Sequence, residues 1–189
     1  MSSHYVDIQL RPYPEVAPHQ LMSSLYQRLH LALVNLGEQR IGVSFPGHDE
    51  QSPSLGSHMR LHGPIDALTA LQGTAWLRGI RDHLLITDVA SVPSDTRHRQ
   101  VLRVQVKSNA ARLRRRAMKR HGLDETQAAK RIPDSAGQRS SLPFVTLASK
   151  STGQHGFPLF VRHGPVLANP LEGAFNSYGL SLGASVPWF

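Results

Sequence analysis

The sequence contains no cysteine, which excludes disulfides, thiolate catalysis and cysteine-ligated zinc or iron–sulfur sites. Long apolar runs are absent too, since none approaches the roughly 20 residues that a helix needs to span a bilayer. The segment MSSHYVDIQLRP lacks the basic start and apolar stretch of a secretion signal. We therefore expect a cytoplasmic protein that does not associate with a membrane.

Acidic residues are few and scattered, with 13 Asp and Glu against 21 Lys and Arg. They form no D-x-D or H-E-x-x-H motif, and the sequence has no phosphate-binding loop. Any enzymatic activity is therefore predicted to use neither a metal nor another cofactor. RNA can supply its own nucleophile, the 2′-hydroxyl, so that one of the 11 histidines, poised near neutral pH, would be enough for catalysis.

Positive charge is what the sequence has in excess, with a formal net charge of +8. Ten of the 21 basic residues lie between Arg97 and Arg120, a stretch without Asp or Glu. Like charges at helical spacing repel, so this stretch needs a partner that supplies negative charge, and phosphates are the obvious source. A merely soluble basic face is the alternative, although interleaved apolar residues such as Val101, Leu102 and Leu113 argue against a disordered tail.

Apolar periodicity predicts the fold of the N-terminal half. Four segments have the pattern or composition of strands: 5–10, 41–45, 59–61 and 83–92. Apolar residues spaced by three and four predict helices over 21–36, which Gly37 ends, and over 65–71. The order strand–helix–strand–strand–helix–strand is that of a ferredoxin-like βαββαβ fold. We therefore predict an α+β protein whose residues 1–93 form a ferredoxin-like domain.

Residues 94–189 are predicted to form a C-terminal α/β region that begins at the turn-rich segment VPSDTR. A strand is predicted over 99–107, and strands over 142–147 and 159–162 are expected to form a hairpin. Residues expected to face a core are Leu102, Val104 and Val106. Residues expected to face outward are Val101, Arg103, Gln105 and Lys107. The outward residues would form a polar strip that reads a ligand.

An arginine-rich helix is predicted to begin after Ser108 or Asn109 and to end at His121, before Gly122. Asp124 can cap a short further helix. The basic residues that share one side of the arginine-rich helix are Arg112, Arg115, Arg116, Lys119 and Arg120. Such a row can bind phosphates and base edges. The major groove of RNA opens to side chains only near loops, bulges and helix ends, so a short RNA hairpin is the favoured partner, while charge alone also permits DNA.

His30 is the histidine best placed for catalysis, because it follows Leu29 on the apolar stripe of the first helix and lies one turn from Tyr26. Partial burial there can tune its pKa. A histidine that simply edges the core fits the pattern equally well. Ser149, Ser151 and Tyr178 have the same two interpretations, as catalytic groups or as turn and packing residues.

Ordered motifs along the whole chain carry a family resemblance. They are H-Y-x-D-I at His4, L-H at Leu29, R-I-G-V-S-F-P at Arg40, R-V-Q at Arg103, K-R-H at Lys119, R-I-P-D at Arg131, L-P-F-V-T-L at Leu142, S-T-G-Q-H at Ser151, R-H-G-P at Arg162, Y-G-L at Tyr178 and the terminal V-P-W-F. Together they resemble the type I-F (Ypest subtype) CRISPR-associated repeat endoribonucleases, which process CRISPR precursor transcripts.

The resemblance implies that the protein binds the CRISPR repeat stem-loop and cleaves it at the 3′ base of the stem. Attack by the 2′-hydroxyl would leave a 2′,3′-cyclic phosphate without a metal, and the protein would stay on the guide RNA with other subunits of a type I-F surveillance complex. Competing hypotheses are a hairpin-binding module that does not cleave, in which His30 is structural, and a DNA-binding adaptor.

The resemblance also implies individual roles. His30 would be the catalytic histidine, Tyr178 would orient it, and Ser149 would position the ribose hydroxyl, with Ser151 as the alternative. Arg103 and Gln105 would read bases beside the stem. The other residues predicted to bind RNA are Lys107, Arg112, Arg115, Arg116, Lys119, Arg120, His121, Ser151 and Phe157.

Overall fold

A computed structural model of the chain describes residues 2–49, 52–105, 110–133, 141–148 and 156–189, without the side chains of residues 111 and 112. Several predicted positions therefore lie outside the described residues: Val106, Lys107, Ser108, Asn109, Ser149, Ser151 and the side chain of Arg112. The chain divides into two compact units. The larger unit comprises Met1–Arg103 and Pro143–Phe189, and the smaller unit is Val104–Leu142. The division predicted after residue 93 stays a prediction.

The first sheet of the larger unit has the strand order β2-β3-β1-β4, and β5 also pairs with β1. Its elements are β1 (His4–Leu10), α1 (Pro18–Leu36), β2 (Gly42–Ser44), β3 (His58–Gly63), α2 (Ile65–Gln72), a 3₁₀ turn (Arg81–His83), β4 (Leu84–Ile86) and β5 (Ala90–Ser91). The register pairs Val6 with Leu61 and Ile8 with Met59, which sets buried apolar side chains opposite one another. The strands and helices follow one another in the predicted order, except that the single strand predicted over 83–92 is two short strands, β4 and β5.

A second sheet has the order β11-β6-β8-β7, and a two-stranded sheet joins β9 to β10. The remaining elements are β6 (Arg97–Val104), α3 (Ala110–His121), α4 (Glu125–Arg131), β7 (Phe144–Leu147), β8 (Phe157–Leu167), β9 (Ala174–Phe175), β10 (Ser181–Leu182) and β11 (Val186–Trp188). Strand pairs whose register is described are all antiparallel. The mixed α+β class is therefore confirmed. No helix among the described residues is long and apolar enough to cross a membrane.

The side-chain directions predicted for β6 are wrong at Val101. Val101 is only 2% exposed and belongs to the apolar core of the larger unit, although the alternation predicts that it faces outward with Arg103. The reason is that the side of β6 that carries Val101 packs on the apolar core, so position in the tertiary structure outweighs the charges of Arg99 and Arg103 on either side of it. Arg99 stays compatible with this face because its Nε donates to the Gly164 carbonyl at 2.5 Å.

Polar side chains of β1, β2 and β3 form two hydrogen-bonded groups. Burial by itself would raise the pKa of Asp7, but hydrogen bonds from Arg60 (2.6 and 3.0 Å) and His58 (2.7 Å) lower it overall. His62 is fully buried, with its Nε2 2.8 Å from Ser44 Oγ. Burial lowers the pKa of His62 to about 3, so this histidine is neutral in the folded protein near neutral pH.

Candidate active site

The apolar face of α1 determines where His30 lies. Leu25 and Leu29 are fully buried on this helix, and His30 follows them at the edge of the core as a half-buried side chain. The helix ends at Gly37, whose φ of 63° reverses the chain and whose N–H donates to Val34 O at 3.2 Å. The predicted end of this helix is confirmed.

The loop of residues 176–180 connects β9 to β10 and is closed by its own hydrogen bonds. Asn176 Oδ1 accepts from the main-chain N–H of Tyr178 at 2.9 Å and of Leu180 at 3.1 Å. The main-chain N–H of Asn176 donates to Leu180 O at 2.8 Å. Gly179, with φ of 71°, donates to Asn176 O at 2.8 Å. We name this segment the 176–180 loop.

His30 contacts the 176–180 loop through both its ring edge and its ring face. Its Nδ1 lies 2.8 Å from the main-chain oxygen of Ser177. Its ring stacks on Tyr178, with ring centroids 4.0 Å apart and ring planes 13° from parallel. A carbonyl oxygen can only accept, so Nδ1 carries a proton, and in the neutral ring Nε2 carries the lone pair. The arrangement suits a proton acceptor at Nε2.

Tyr178 is fixed from two further directions. The hydroxyl of Tyr26 donates to Tyr178 O at 2.7 Å, and burial raises the pKa of Tyr26, so this hydroxyl keeps the proton it donates. The guanidinium carbon of Arg103 lies 5.1 Å from the centre of the Tyr178 ring, a distance typical of a cation–π contact. The structure therefore brings together His30, Tyr178 and Arg103, three of the residues singled out by the motifs.

Helix α1 also binds β7, the strand that leads to Ser149. Ser23 Oγ accepts from the N–H of Thr146 at 3.1 Å, and Gln27 Oε1 accepts from the N–H of Ala148 at 2.8 Å. Ser149 is the next residue along the chain but lies outside the described residues, as does Ser151. Phe157 begins β8, pairs with Leu147 and is half-buried against the core.

The arginine-rich helix belongs to the smaller unit and is two-sided. Exposed residues are Arg115, Arg116, Lys119, Arg120 and His121. Leu113, Arg114, Ala117 and Met118 are half-buried on α3, and Arg114 Nε donates to Ile132 O at 2.7 Å beyond the end of α4. Within the described residues, none of the exposed basic residues pairs with a carboxylate.

The end of α3 and the start of α4 agree with the sequence-based predictions. Gly122 follows α3 with φ of 64° and donates its N–H to Met118 O at 2.9 Å. Asp124 caps α4, since its Oδ1 accepts from the N–H of Gln127 at 2.7 Å while the Gln127 side chain accepts from the N–H of Asp124 at 3.3 Å. Gln105 is exposed at the start of the unit. The role of the exposed α3 side chains and of Gln105 in binding RNA stays a prediction.

Similarity to known proteins identifies the family. A family model described as CRISPR-associated protein (Cas_Csy4) matches residues 5–189. The chain belongs to this family. The CRISPR-associated endonuclease Cas6/Csy4 of Pseudomonas aeruginosa (strain UCBPP-PA14) is 56% identical over 186 residues, which cover 98% of this chain and 99% of that protein. The endonuclease of the same name from Escherichia coli (strain UTI89 / UPEC) is 44% identical over 186 residues, with the same coverage of both chains.

Membership of the Csy4 family confirms the resemblance predicted from the motifs. It leaves the roles of single residues as predictions, because the similarity extends over the whole chain and singles out none of them. Among the described residues, no group of three or more His, Asp or Glu side chains is arranged to hold a metal ion.

Two residues of the candidate active site, Asn176 and Ser177, are not among the residues predicted from the sequence. Asn176 holds the 176–180 loop, and the stretch N-S-Y-G, with Asn and Gly typical of turns, is the signal that could have indicated it. Ser177 contacts His30 through its main-chain oxygen. Since every residue has that atom, the identity of its side chain gives no indication of such a role.

Proposed function

We propose that this protein is a metal-independent endoribonuclease that processes CRISPR precursor RNA. It binds the repeat hairpin, cleaves at the 3′ base of the stem and leaves a 2′,3′-cyclic phosphate. The observation that carries the proposal is the environment of His30, in which the Ser177 carbonyl holds the proton on Nδ1 and leaves Nε2 as the acceptor. The names of its relatives, CRISPR-associated endonucleases, support the same activity.

In the proposed reaction, His30 Nε2 accepts the proton of the ribose 2′-hydroxyl upstream of the cut. The 2′-oxygen then forms a bond to phosphorus while the bond from phosphorus to the 5′-oxygen breaks. The imidazolium returns the proton to the departing 5′-oxygen, so the products are a 2′,3′-cyclic phosphate and a free 5′-hydroxyl. Holding the hydroxyl in line with the departing oxygen supplies several kcal/mol of the barrier reduction. We assign this positioning to Ser149, with Ser151 as the alternative.

RNA binding is proposed for the exposed side of α3 and the outer end of β6. Arg103 and Gln105 would read bases beside the stem, and Phe157 would contact the scissile end of the hairpin. Residues proposed to bind RNA along the groove are Lys107, Arg112, Arg115, Arg116, Lys119, Arg120 and His121. Four of these are exposed basic residues on α3 without a carboxylate partner in the described part of the chain, which supports a phosphate ligand.

We also propose that the N-terminal half is ferredoxin-like. The sheet has the strand order β2-β3-β1-β4 with antiparallel pairing, and two of the connections between its strands are helices, which supports this topology.

After cleavage the protein is proposed to remain on the guide RNA, because a groove-bound row of arginines holds the stem whether or not the RNA has been cut. There it is proposed to join other subunits of a type I-F surveillance complex.

The reaction is tested with the repeat hairpin from the cognate CRISPR array, incubated with the protein in EDTA. We expect a shortened RNA that ends in a 2′,3′-cyclic phosphate. The same hairpin with a 2′-deoxyribose before the cut should bind equally well and stay intact, because it lacks the nucleophile. Intact RNA under saturating binding would show that the protein binds without cleaving, and cleavage of the deoxy substrate would exclude the proposed nucleophile.

His30 is tested by His30→Ala, with His19→Ala as the matched control because His19 is an exposed histidine on the same helix. Loss of a general acid–base group should slow single-turnover cleavage about 100- to 10,000-fold. The dissociation constant for the hairpin should change less than about threefold, since no base or phosphate contact is assigned to His30. Equal cleavage rates for the two variants would show that His30 is not the catalytic group.

The proposed RNA-binding surface is tested by the double variant Arg115→Ala/Arg116→Ala. Arg78→Ala/Arg81→Ala is its control, because it removes the same charge from two exposed arginines of the larger unit. Each phosphate contact contributes close to one unit to the slope of log affinity against log salt, so the test pair should reduce this slope by about two. The control pair should leave it unchanged within about half a unit. Equal slopes for both pairs would place the phosphate contacts elsewhere.

A further inference from the structure

One peptide group links Asn176 to His30. The carbonyl that His30 Nδ1 contacts at 2.8 Å belongs to Ser177, and the N–H of the same peptide group is that of Tyr178. This N–H donates to Asn176 Oδ1 at 2.9 Å. In a planar trans peptide the C=O and N–H bonds point in opposite directions. An acceptor that holds the N–H on one side therefore directs the carbonyl to the other side, toward His30.

The rest of the 176–180 loop prevents this peptide group from turning. The second bond of Asn176 Oδ1, from Leu180 N–H at 3.1 Å, anchors a residue that is fully buried. Gly179 O accepts from the N–H of Val43 at 2.9 Å, which ties the loop to β2. Tyr26 holds the carbonyl of Tyr178 at 2.7 Å. Asn176 is the side chain within the loop that holds this peptide group, because its Oδ1 accepts from two main-chain N–H groups, those of Tyr178 and Leu180.

We propose that Asn176 is a positioning residue that sets the tautomer of His30, an inference that rests on the proposed endonuclease activity only for its effect on cleavage. With the Ser177 carbonyl held toward Nδ1, a neutral His30 with its proton on Nε2 would set two lone pairs against each other at 2.8 Å. The loop thus favours the tautomer with the proton on Nδ1. Nε2 is left as the nitrogen that accepts a proton from the substrate.

The tautomer is measured directly by two-bond ¹H–¹⁵N NMR on protein without RNA, with the histidine ring nitrogens labelled. In the wild-type protein, at a pH where His30 is neutral, we expect Nδ1 to show the shift of a protonated nitrogen and Nε2 that of a bare one. In Asn176→Ala the ratio of the Nδ1–H tautomer to the Nε2–H tautomer should fall about two- to tenfold, which is the range expected from losing one net hydrogen bond. Asn176→Asp keeps an acceptor oxygen at the same position and should restore the wild-type tautomer.

Ser54→Ala is the matched control, because Ser54 Oγ accepts from the N–H of Gly56 two residues along the chain, the spacing seen at Asn176 and Tyr178. Its removal loosens a turn elsewhere and should leave the His30 tautomer unchanged. Single-turnover cleavage should follow the tautomer: slower in Asn176→Ala, restored in Asn176→Asp, and normal in Ser54→Ala, with hairpin affinity equal in all of them. A purely structural role for Asn176 would lower the melting temperature without moving the tautomer.

A bare Nδ1 in wild-type His30 would overturn the proposal, and this measurement needs no variant to fold. An unchanged tautomer in folded Asn176→Ala would overturn it too. Because the NMR experiment contains no RNA, its outcome is independent of cleavage. The expected tautomers in a protein that never cuts the hairpin would instead refute the proposed endonuclease activity and leave the assignment of Asn176 standing.

Discussion

Replacing Gly179 by alanine is expected to destabilise the protein much more than replacing a glycine with the same backbone conformation elsewhere. Gly179 has φ of 71°, and a Cβ added there would lie 2.4 Å from Val43 Cγ2 and 3.4 Å from Ile41 O. Val43 and Ile41 are both fully buried, and Val43 N–H is bonded to Gly179 O. Neither neighbour can move away without breaking a contact of the core.

The expected loss in the free energy of unfolding has two parts. An alanine in the left-handed region costs about 1–2 kcal/mol. Forcing one extra carbon into a packed core costs about 1–3 kcal/mol more. Gly37 separates the parts, because its φ is 63° and a Cβ there would meet nothing within 4 Å. Gly37→Ala should therefore cost only the first part, whereas Gly179→Ala should cost about 2–5 kcal/mol, the sum of both.

The assay is equilibrium urea unfolding of the wild-type protein and the two variants, with the slope of each transition checked for equality. The free energy of unfolding should fall further for Gly179→Ala than for Gly37→Ala by about 1–3 kcal/mol. If the two variants agree within about 0.5 kcal/mol, the close packing of the 176–180 loop on β2 is not rigid. That result would also weaken the argument that the loop presents a fixed carbonyl to His30.

Three further predictions concern polar contacts of single side chains. Burial lowers the pKa of His62 to about 3, so below pH ~6.5 this side chain is protonated in the unfolded chain but stays neutral in the folded protein. The free energy of unfolding should therefore fall by up to ~1.4 kcal/mol per pH unit as the pH drops from 6.5 to 4.5. His62→Gln should flatten this slope in urea unfolding, and identical slopes would contradict it. Tyr26→Phe should lower stability by about 1 kcal/mol and the melting temperature by about 2–4 °C, because Tyr178 O loses its buried donor; an unchanged melting temperature would show that this bond contributes nothing. Asp124→Ala should destabilise α4 by about 1 kcal/mol, measured as faster amide exchange at Gln127, and unaltered exchange would show that the cap is dispensable.

Periodicity and end signals are enough to predict most of the local structure. The spacing of Leu21, Leu25 and Leu29 predicts α1, and Gly37 and Gly122 mark where helices end, because few other residues adopt a positive φ without strain. Asp124 is recognisable as a cap from its position before a helical stretch. These signals depend on neighbouring residues in the sequence, so tertiary packing does not change what they predict.

Long-range packing determines what the sequence does not predict. Val101 shares the parity of Arg99 and Arg103, and their charges suggest a solvent-facing side. Its burial depends on packing in an apolar cluster whose other members lie far away in sequence, from Val6 to Val186. The contact between His30 and Ser177 spans 147 residues and uses a main-chain atom, so no local pattern encodes it. The approach of His30 to Tyr178 is predictable only through family motifs, and the ring stacking gives it a physical basis.

The smaller unit, Val104–Leu142, is one uninterrupted stretch inserted between two parts of the larger one. Ser177 and Tyr178, which contact His30, are encoded outside that stretch. Because one contiguous stretch of the gene encodes both α3 and α4, recombination could replace the two helices together without altering His30, Ser177 or Tyr178. Under the roles proposed above, such an exchange would renew the helix proposed to bind RNA and keep the residues proposed for cleavage.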